Sequence, residues 1–346
     1  MGTRMTKTAR KLVVGLIAGM SLGAAGGCSR TATFAVTRPA MLNAAQVGNT
    51  MTVGGIAAPT GMPQDVQAAA EISADLSNRI THSLNPAIRL VAQGGGVVIT
   101  GAVLSNEYGE RIEQVDRTCT RTVSVGNGQF RAEPYPCTDI RRIGQAHARL
   151  QFQVTHGQNG QVLFDQTYED TASQTTVGIR SAYERRDPAG IDGFGMLHAV
   201  RSGLVGNFAR VILPWQENVT VAFEDCDGDA RCRQGYDLVR SGNLAAAEPL
   251  FTAVLGEYAA PGAQVPANAA ERVGEALYNR GVTRSYLGRY AQAVADLTRA
   301  IALRPDESDW NQELENARNM ARDQEALRQQ GAVTNETQNV QQAGTP

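Results

Sequence analysis

A short residue pattern that occurs twice in the second half of the chain constrains the fold more than any other feature. The first copy is Gly235, Gly242, Leu244, Ala247 and Phe251. The second copy, 46 residues further on, is Gly281, Gly288, Tyr290, Ala293 and Leu297. Small residues at matched positions let two antiparallel helices pack closely, and a glycine between the helices suits a tight turn. The pattern therefore predicts helix pairs that stack side by side.

Over residues 228–305 the pattern resembles the tetratricopeptide repeat, a helix pair with a period of about 34 residues. The longer spacing fits an extra loop at 261–266, which holds two prolines. The segment from Ser308 to Arg328 predicts one polar helix that caps the stack. An unrelated helical bundle remains the alternative. Since roughly three repeats are needed for independent stability, two must pack against the cap, the first domain or another copy.

The resemblance implies a concave face built from the first helix of each repeat. The positions that it implies to be exposed there are Tyr236, Arg240, Tyr278, Asn279, Ser285 and Tyr286. Tyrosine and arginine are common at protein interfaces because they combine a large contact area with directed hydrogen bonds. We therefore expect these residues to bind an envelope protein or peptide. The alternative is that some of them pack against the loop or the neighbouring domain.

The start of the chain has the layout of an export signal. Four basic residues lie within the first 11 positions, and an apolar run from Leu12 to Ala25 leads to two glycines and Cys28. This order predicts a signal peptide over residues 1–27. A cysteine at the cleavage point resembles bacterial lipoproteins, which implies that Cys28 carries lipid (palmitate) and becomes the first residue. An ordinary secretory signal with a chance cysteine is the alternative.

The resemblance also implies a location. By the pattern of enterobacterial lipoproteins, Ser29 after the modified cysteine points to the outer membrane, on its periplasmic side. Cys119, Cys137, Cys226 and Cys232 remain in the exported part, and an even number outside the cytoplasm favours disulfide bonds. Proximity in the sequence favours Cys119–Cys137 and Cys226–Cys232. Zinc is the rival, but the C-x-x-C spacing typical of such sites does not occur.

Residues 47–224 predict an α+β domain, a mixed sheet that buries two amphipathic helices. The predicted helices run from Asp65 to Leu84 and from Ile191 to Leu213. Near-continuous apolar character predicts a buried strand over Val97 to Leu104, and strict alternation predicts a half-buried strand around 146–154. Between them, residues 117–142 read as an extended insertion or hairpin. A final strand is expected over 218–223.

The remaining segments complete the predicted domain organisation. Residues 28–46 read as a tether or an edge segment. Residues 225–330 form the predicted all-α tetratricopeptide-repeat domain with its capping helix. Residues 331–346 are rich in Gln, Asn and Thr, so we expect a disordered tail.

The order of elements in the first domain carries a second resemblance. The lipoprotein signal is followed by Val36 to Ala40, by the strand from Val97 to Leu104 and then by a helix and a strand. This order is similar to the curli-secretion lipoprotein and the penicillin-binding-protein activator. The resemblance implies assembly or regulation at the outer membrane by binding rather than catalysis. It also allows a homo-oligomeric structural or secretion-associated subunit.

No motif with a chemical mechanism occurs in the chain. The formal charge is −2 and no lysine follows position 11, so the clustered basic residues that nucleic acid requires are missing. The four histidines are not at metal-binding spacings. Residues 225–229 resemble the start of a calcium loop, but the glycine is misplaced and a solvated turn is the preferred interpretation. We therefore expect no catalytic residue, metal or cofactor; an envelope hydrolase with an unrecognised site is the alternative.

Overall fold

The computed structural model describes residues 30–42, 44–260 and 262–332. The predicted signal peptide, Cys28 and residues 333–346 of the predicted tail lie outside the described residues. The strands are β1 (Arg30–Arg38), β2 (Thr50–Ala57), β3 (Arg89–Leu90), β4 (Val97–Gly126), β5 (Gln129–His156), β6 (Val162–Ser181), β7 (Arg185–Arg186) and β8 (Trp215–Phe223). The helices are α1 (Ala44–Val47), α2 (Pro63–Thr81), α3 (Gly193–Ile212), α4 (Ala230–Arg240), α5 (Leu244–Leu255), α6 (Ala270–Tyr286), α7 (Tyr290–Leu303) and α8 (Ser308–Gln329).

The N-terminal region is a mixed sheet of six strands in the order β3-β2-β4-β5-β6-β7. Strand β2 runs parallel to both β3 and β4, and the other pairs are antiparallel. Helices α2 and α3 cover one face, where Phe208 of α3 stacks on Phe152 of β5 with ring centroids 4.3 Å apart. The every-fourth-residue stripe of α2 is buried, with Ile72, Leu76 and Ile80 no more than 2% exposed. The predicted α+β class is therefore correct.

All four ends of the two predicted helices, which run over Pro63–Thr81 and Gly193–Ile212, are shifted by one to three residues. Helix α2 begins at Pro63 rather than after Asp65, because proline suits the first helical position and Asp65 then falls in the first turn. Helix α3 begins after Asp192, whose side chain accepts a hydrogen bond from the backbone N–H of Gly195 and caps the helix.

Strands β4 and β5 extend far beyond the part of the sheet that the helices cover. Their ladder runs from the pair Val97–His156 to the pair Gly126–Gln129. We call residues 110–142 of this hairpin the arm. It contains the segment predicted as an insertion or hairpin, and it carries the exposed apolar side chains Ile112 and Phe130. The hairpin alternative is thus the correct one.

The last strand of the first domain does not join the main sheet. Strand β8 pairs antiparallel with β1, from Arg30 opposite Phe223 to Arg38 opposite Trp215, and forms a separate two-stranded ribbon. Residues 30–38 are therefore an edge strand and not a tether. The physical reason is burial, since Val36, Val221 and other ribbon side chains belong to the core of the helical domain.

The C-terminal region is helical, as predicted. Glycines 242 and 288 take φ angles of 83° and 78° at the turns between α4 and α5 and between α6 and α7. A Cβ atom on Gly235 would lie 2.7 Å from the Phe251 ring, and one on Gly281 would lie 2.8 Å from Leu297. These short distances confirm the prediction that the two helices of each pair cross closely at the small residues. Helix α8 packs on α6 and α7 as the predicted cap.

Candidate functional site in the groove of the helical domain

The concave face of the helical domain is filled by the chain's own ribbon. Side chains from α4, α6 and α8 line this groove, and strands β1 and β8 lie in it. Phe34 of β1 stacks on Tyr286 of α6 with ring centroids 3.9 Å apart. Phe223 of β8 stacks on Phe251 of α5 at 6.3 Å. The ribbon thus occupies the position that an external peptide would take in such a groove.

Asn279 binds the backbone at the end of β8. Its Oδ1 accepts a 2.8 Å hydrogen bond from the N–H of Glu224, and its Nδ2 donates a 2.9 Å bond to the carbonyl of the same residue. The same Nδ2 lies 3.3 Å from the sulfur of Cys226. Asn279 is 1% exposed, so these bonds are made away from water. A side-chain amide that satisfies both backbone groups of one residue fixes the position of that residue in the groove.

Two tyrosines hold the ribbon in the same way along its length. The hydroxyl of Tyr236 donates to the carbonyl of Thr31 at 3.1 Å, and the hydroxyl of Tyr278 donates to the carbonyl of Ala222 at 3.3 Å. Tyr278 also stacks on Trp310 of α8 at 4.9 Å. Burial raises the pKa of the Tyr278 hydroxyl far above its ordinary value, so this donor keeps its proton. The groove therefore recognises strand backbone with neutral donors.

The end of the ribbon near α8 is fixed by charge and by an amide. Arg38 donates to Glu217 of β8 at 2.6 Å and to Asp323 of α8 at 2.7 Å. Gln330 accepts from the N–H of Ala40 at 3.1 Å and donates to the carbonyl of Ala40 at 3.2 Å. Its backbone carbonyl accepts from the side chain of Asn85, which belongs to the sheet domain. Both ends of the ribbon are thus clamped by paired amide contacts.

Acidic groups line one side of the groove. Burial, together with the nearby negative charges of Glu224 and Glu271, raises the pKa of Glu275 to about 7. The backbone N–H of Asp227 donates to the Glu275 carboxylate at 3.1 Å, which opposes the shift. Burial also raises the pKa of Glu313 on α8. The groove therefore contains one carboxyl group, that of Glu275, whose charge changes near neutral pH.

The predicted partner-binding residues are mostly buried against the ribbon. Tyr278, Asn279, Ser285 and Tyr286 are at most 5% exposed, so the expectation that they are exposed is wrong. Tyr236 is half-buried beside β1, and Arg240 is exposed in the last turn of α4. The sequence pattern identified the concave face of the helical domain correctly, but it gave no indication that the ribbon of β1 and β8 fills this face. Their role in binding a partner stays a prediction, and four of the six would first have to release the ribbon.

Both predicted disulfide bonds are present. Cys119 and Cys137 bridge the two strands of the arm with Cα atoms 5.8 Å apart. Cys226 and Cys232 close the loop between β8 and α4 with Cα atoms 6.1 Å apart, next to Asn279. The second bridge therefore lies where the ribbon meets the helices.

A polar cluster on the outer face of the sheet was missed by the sequence reasoning. The Ser105 hydroxyl lies 3.1 Å from Nδ1 of His147, and Nε2 of His147 lies 3.0 Å from the carboxylate of Glu169. Strand pairing brings these residues together from β4, β5 and β6, and a bulge between Val103 and Ser105 shifts the register there. No motif connects residues so far apart in sequence. The Glu169 side chain is 58% exposed, unlike the water-excluded setting of strong acid–base catalysis.

Within the described ranges, no group of three or more His, Cys, Asp or Glu residues is placed to hold a metal ion. Among the helices of the same ranges, none has both the length and the apolar character needed to cross a membrane.

Comparison with known proteins supports the repeat interpretation. The tetratricopeptide repeat family matches residues 274–307, which contain the second copy of the pattern. A search of curated protein sequences gives no match to the chain. Two solved structures are similar to 53% of the chain, both with a TM-score of 0.26. The PelC dodecamer from Paraburkholderia phytofirmans is 16% identical, and the match covers 98% of that chain. A variant of the same protein with one leucine replaced by methionine is 15% identical, and the match covers 97% of that chain. A likeness at this TM-score identifies neither the fold nor the function of the chain.

Proposed function

We propose that this chain is a non-catalytic lipoprotein of the bacterial outer membrane, anchored on the periplasmic side by lipid on Cys28, and that it serves as a protein-binding scaffold in envelope assembly or regulation. Two disulfide bonds fit an oxidising compartment outside the cytoplasm. The tetratricopeptide repeat is a module typical of protein–protein contacts. The anchor is tested by Cys28→Ser, which should move the protein from the membrane fraction to the soluble periplasm.

The observation that carries the scaffold proposal is the free edge of β4. Among the described residues, this strand pairs with β2 only through residue 102, while its other edge pairs with β5 out to residue 126. An unpaired strand edge offers a row of backbone donors and acceptors to an extended segment of a partner. Exposed apolar side chains at Ile112 and Phe130 add contact area along the arm. Since the concave groove already holds the ribbon, the arm is the surface best suited to a partner.

A shortened arm tests this proposal. Asp116 and Thr138 face each other in the ladder, so residues 117–137 can be replaced by Asn-Gly, the favoured two-residue hairpin turn. This change removes Cys119 and Cys137 together and leaves no free thiol. We expect an unchanged circular dichroism spectrum and loss of crosslinked partners in intact cells. A matched control, Phe194→Ser, removes an exposed apolar side chain outside the arm and should leave the crosslinks intact. Crosslinks that survive the shortening would contradict the arm as the docking surface.

An oligomeric structural or secretion-associated subunit is the second candidate. In the part of the chain that the structure describes, the same sheet has another largely free edge, because β7 pairs with β6 only at Ile179 and Arg180. Two different free edges on one molecule allow head-to-tail pairing between copies, which closes into a ring when the rotation permits. Light scattering of the purified lipoprotein in mild detergent separates the candidates, since a monomer at micromolar concentration contradicts the oligomer.

An envelope hydrolase is the third candidate, supported by the Ser105, His147 and Glu169 cluster. The three residue types are those of a serine-hydrolase triad, although Ser105 contacts Nδ1 and Glu169 contacts Nε2, the reverse of the usual use of the two ring nitrogens. A fluorophosphonate probe tests it, because an activated serine is labelled covalently. Labelling that disappears in Ser105→Ala would support a hydrolase, and absence of labelling in the folded wild-type protein would contradict it.

A further inference from the structure

The distance along the chain between the proposed anchor and the folded body is very short. Strand β1 begins at Arg30, so Ser29 alone separates it from Cys28. Two residues of extended chain span at most about 7 Å. If Cys28 carries lipid, Arg30 cannot lie further than this from the level of the lipid headgroups. A lipoprotein with a long flexible tether would be free to turn, but this one is not.

The residues around Arg30 form one end of the helical domain, which we call the anchor end. Arg30 pairs with Asp225 at 2.5 Å, and its guanidinium lies 5.9 Å from the centre of the Tyr236 ring. Arg233 of α4 lies 3.8 Å from the same Asp225 carboxylate. The anchor end therefore consists of Arg30, Asp225, Arg233 and Tyr236, with the loop closed by the second disulfide bond beside them.

We propose that the anchor end is a lipid-binding surface that rests on the phospholipid headgroups and sets the orientation of the whole protein. The inference depends on the proposed lipid anchor at Cys28. Arginine binds phosphate groups through its fork of N–H donors, and tyrosine is enriched at the level of the headgroups because its ring is apolar and its tip polar. Arg30 and Arg233 both lie against the Asp225 carboxylate and supply the two guanidinium groups of this surface.

The ribbon turns this contact into a fixed orientation. Strand β1 is held along its length by Tyr236, by Tyr286 through Phe34 and by Asp323 through Arg38. Eight residue steps from Arg30 to Arg38 correspond to about 26 Å of strand. The clamped strand therefore acts as a rigid stem. The sheet domain, attached beyond Arg38, is carried at the end of the stem remote from the anchor.

The purified full-length lipoprotein in phospholipid vesicles provides the test. A fluorophore is placed at Gln234→Cys, beside the anchor end on α4, so that Arg30 and Arg233 are kept. The matched control is Glu325→Cys on α8, and both native side chains are exposed. Vesicles containing a headgroup nitroxide should quench the label at position 234 severalfold more strongly than the label at 325. Insertion of 15 Gly and Ser residues between Ser29 and Arg30 gives a linker of about 20 Å root-mean-square span and should abolish the difference.

The outcomes separate the two proposals. Flotation with vesicles together with equal quenching at both positions would overturn the lipid-binding surface and leave the anchor intact. Flotation that is unchanged in Cys28→Ser, or no flotation of the wild-type protein, would overturn the anchor and with it this inference. Strong quenching at position 234 that persists with the inserted linker would overturn the role of the short link between Cys28 and Arg30 in setting the orientation.

Discussion

Replacement of Asn279 by alanine is the sharpest test of how the ribbon is held. The substitution removes the 2.8 Å and 2.9 Å hydrogen bonds to the backbone of Glu224 in a site where Asn279 is 1% exposed. It leaves a backbone donor and a backbone acceptor without their partner, and each such buried group costs about 1–3 kcal/mol. Because Glu224 is only half-buried, water can reach part of this site. We therefore expect a loss of about 2–4 kcal/mol in the free energy of unfolding.

Urea unfolding followed by far-ultraviolet circular dichroism measures this loss. Asn311→Ala on the exposed face of α8 is the matched control and should change the stability by less than about 0.5 kcal/mol. Asn279→Asp should be at least as destabilised as the alanine variant, because it buries a carboxylate against the Glu224 carbonyl oxygen. A loss below about 0.5 kcal/mol for Asn279→Ala would refute the reasoning, because the amide would then not hold the ribbon.

Three further predictions concern other parts of the chain. The pKa of Glu275 is raised to about 7 from 4.5, so its protonated form is favoured by folding; this stabilisation is complete below about pH 4.5 and is lost as the pH rises through 7. Glu275→Gln should accordingly flatten the decline of the melting temperature between pH 5 and pH 8. Gly281→Ala should cost about 1–3 kcal/mol of stability through a clash at 2.8 Å, whereas Gly203→Ala, with open space around it, should be neutral or stabilising. Replacing Cys119 and Cys137 by serine should speed amide exchange in the arm and leave the melting temperature of the body nearly unchanged.

The helical domain could be predicted from the sequence because its signal is local. The glycine at each turn and the small residue at each crossing lie within one repeat length, and each reports a contact made nearby. The same holds for the alternating strand predicted around residues 146–154, which lies within β5. In these elements, the side chains that form the sequence pattern are the same side chains that contact one another in the structure.

The ribbon could not be predicted because its information is not local. Strand β8 was recognised as a strand, yet its partner begins at Arg30, almost 200 residues earlier, in a segment too polar to be read as buried. A two-residue period indicates which face of a strand is buried but not which element buries it. The contact of Ser105 with His147 has the same origin, since register alone brings the two together.

The ribbon also explains how only two repeats form a stable domain. Two repeats leave an apolar face uncovered, and here α8 covers one side while β1 and β8 fill the groove with Phe34, Val36 and Phe223. The core of the helical domain therefore includes side chains from two distant parts of the sequence. Strand β1 precedes the sheet domain in the chain, and strand β8 follows its last helix, α3. The helices cannot complete their core until these distant segments meet. It follows that a fragment starting at residue 225 would lack part of its own core, whereas a division that keeps the ribbon with the helices would preserve it.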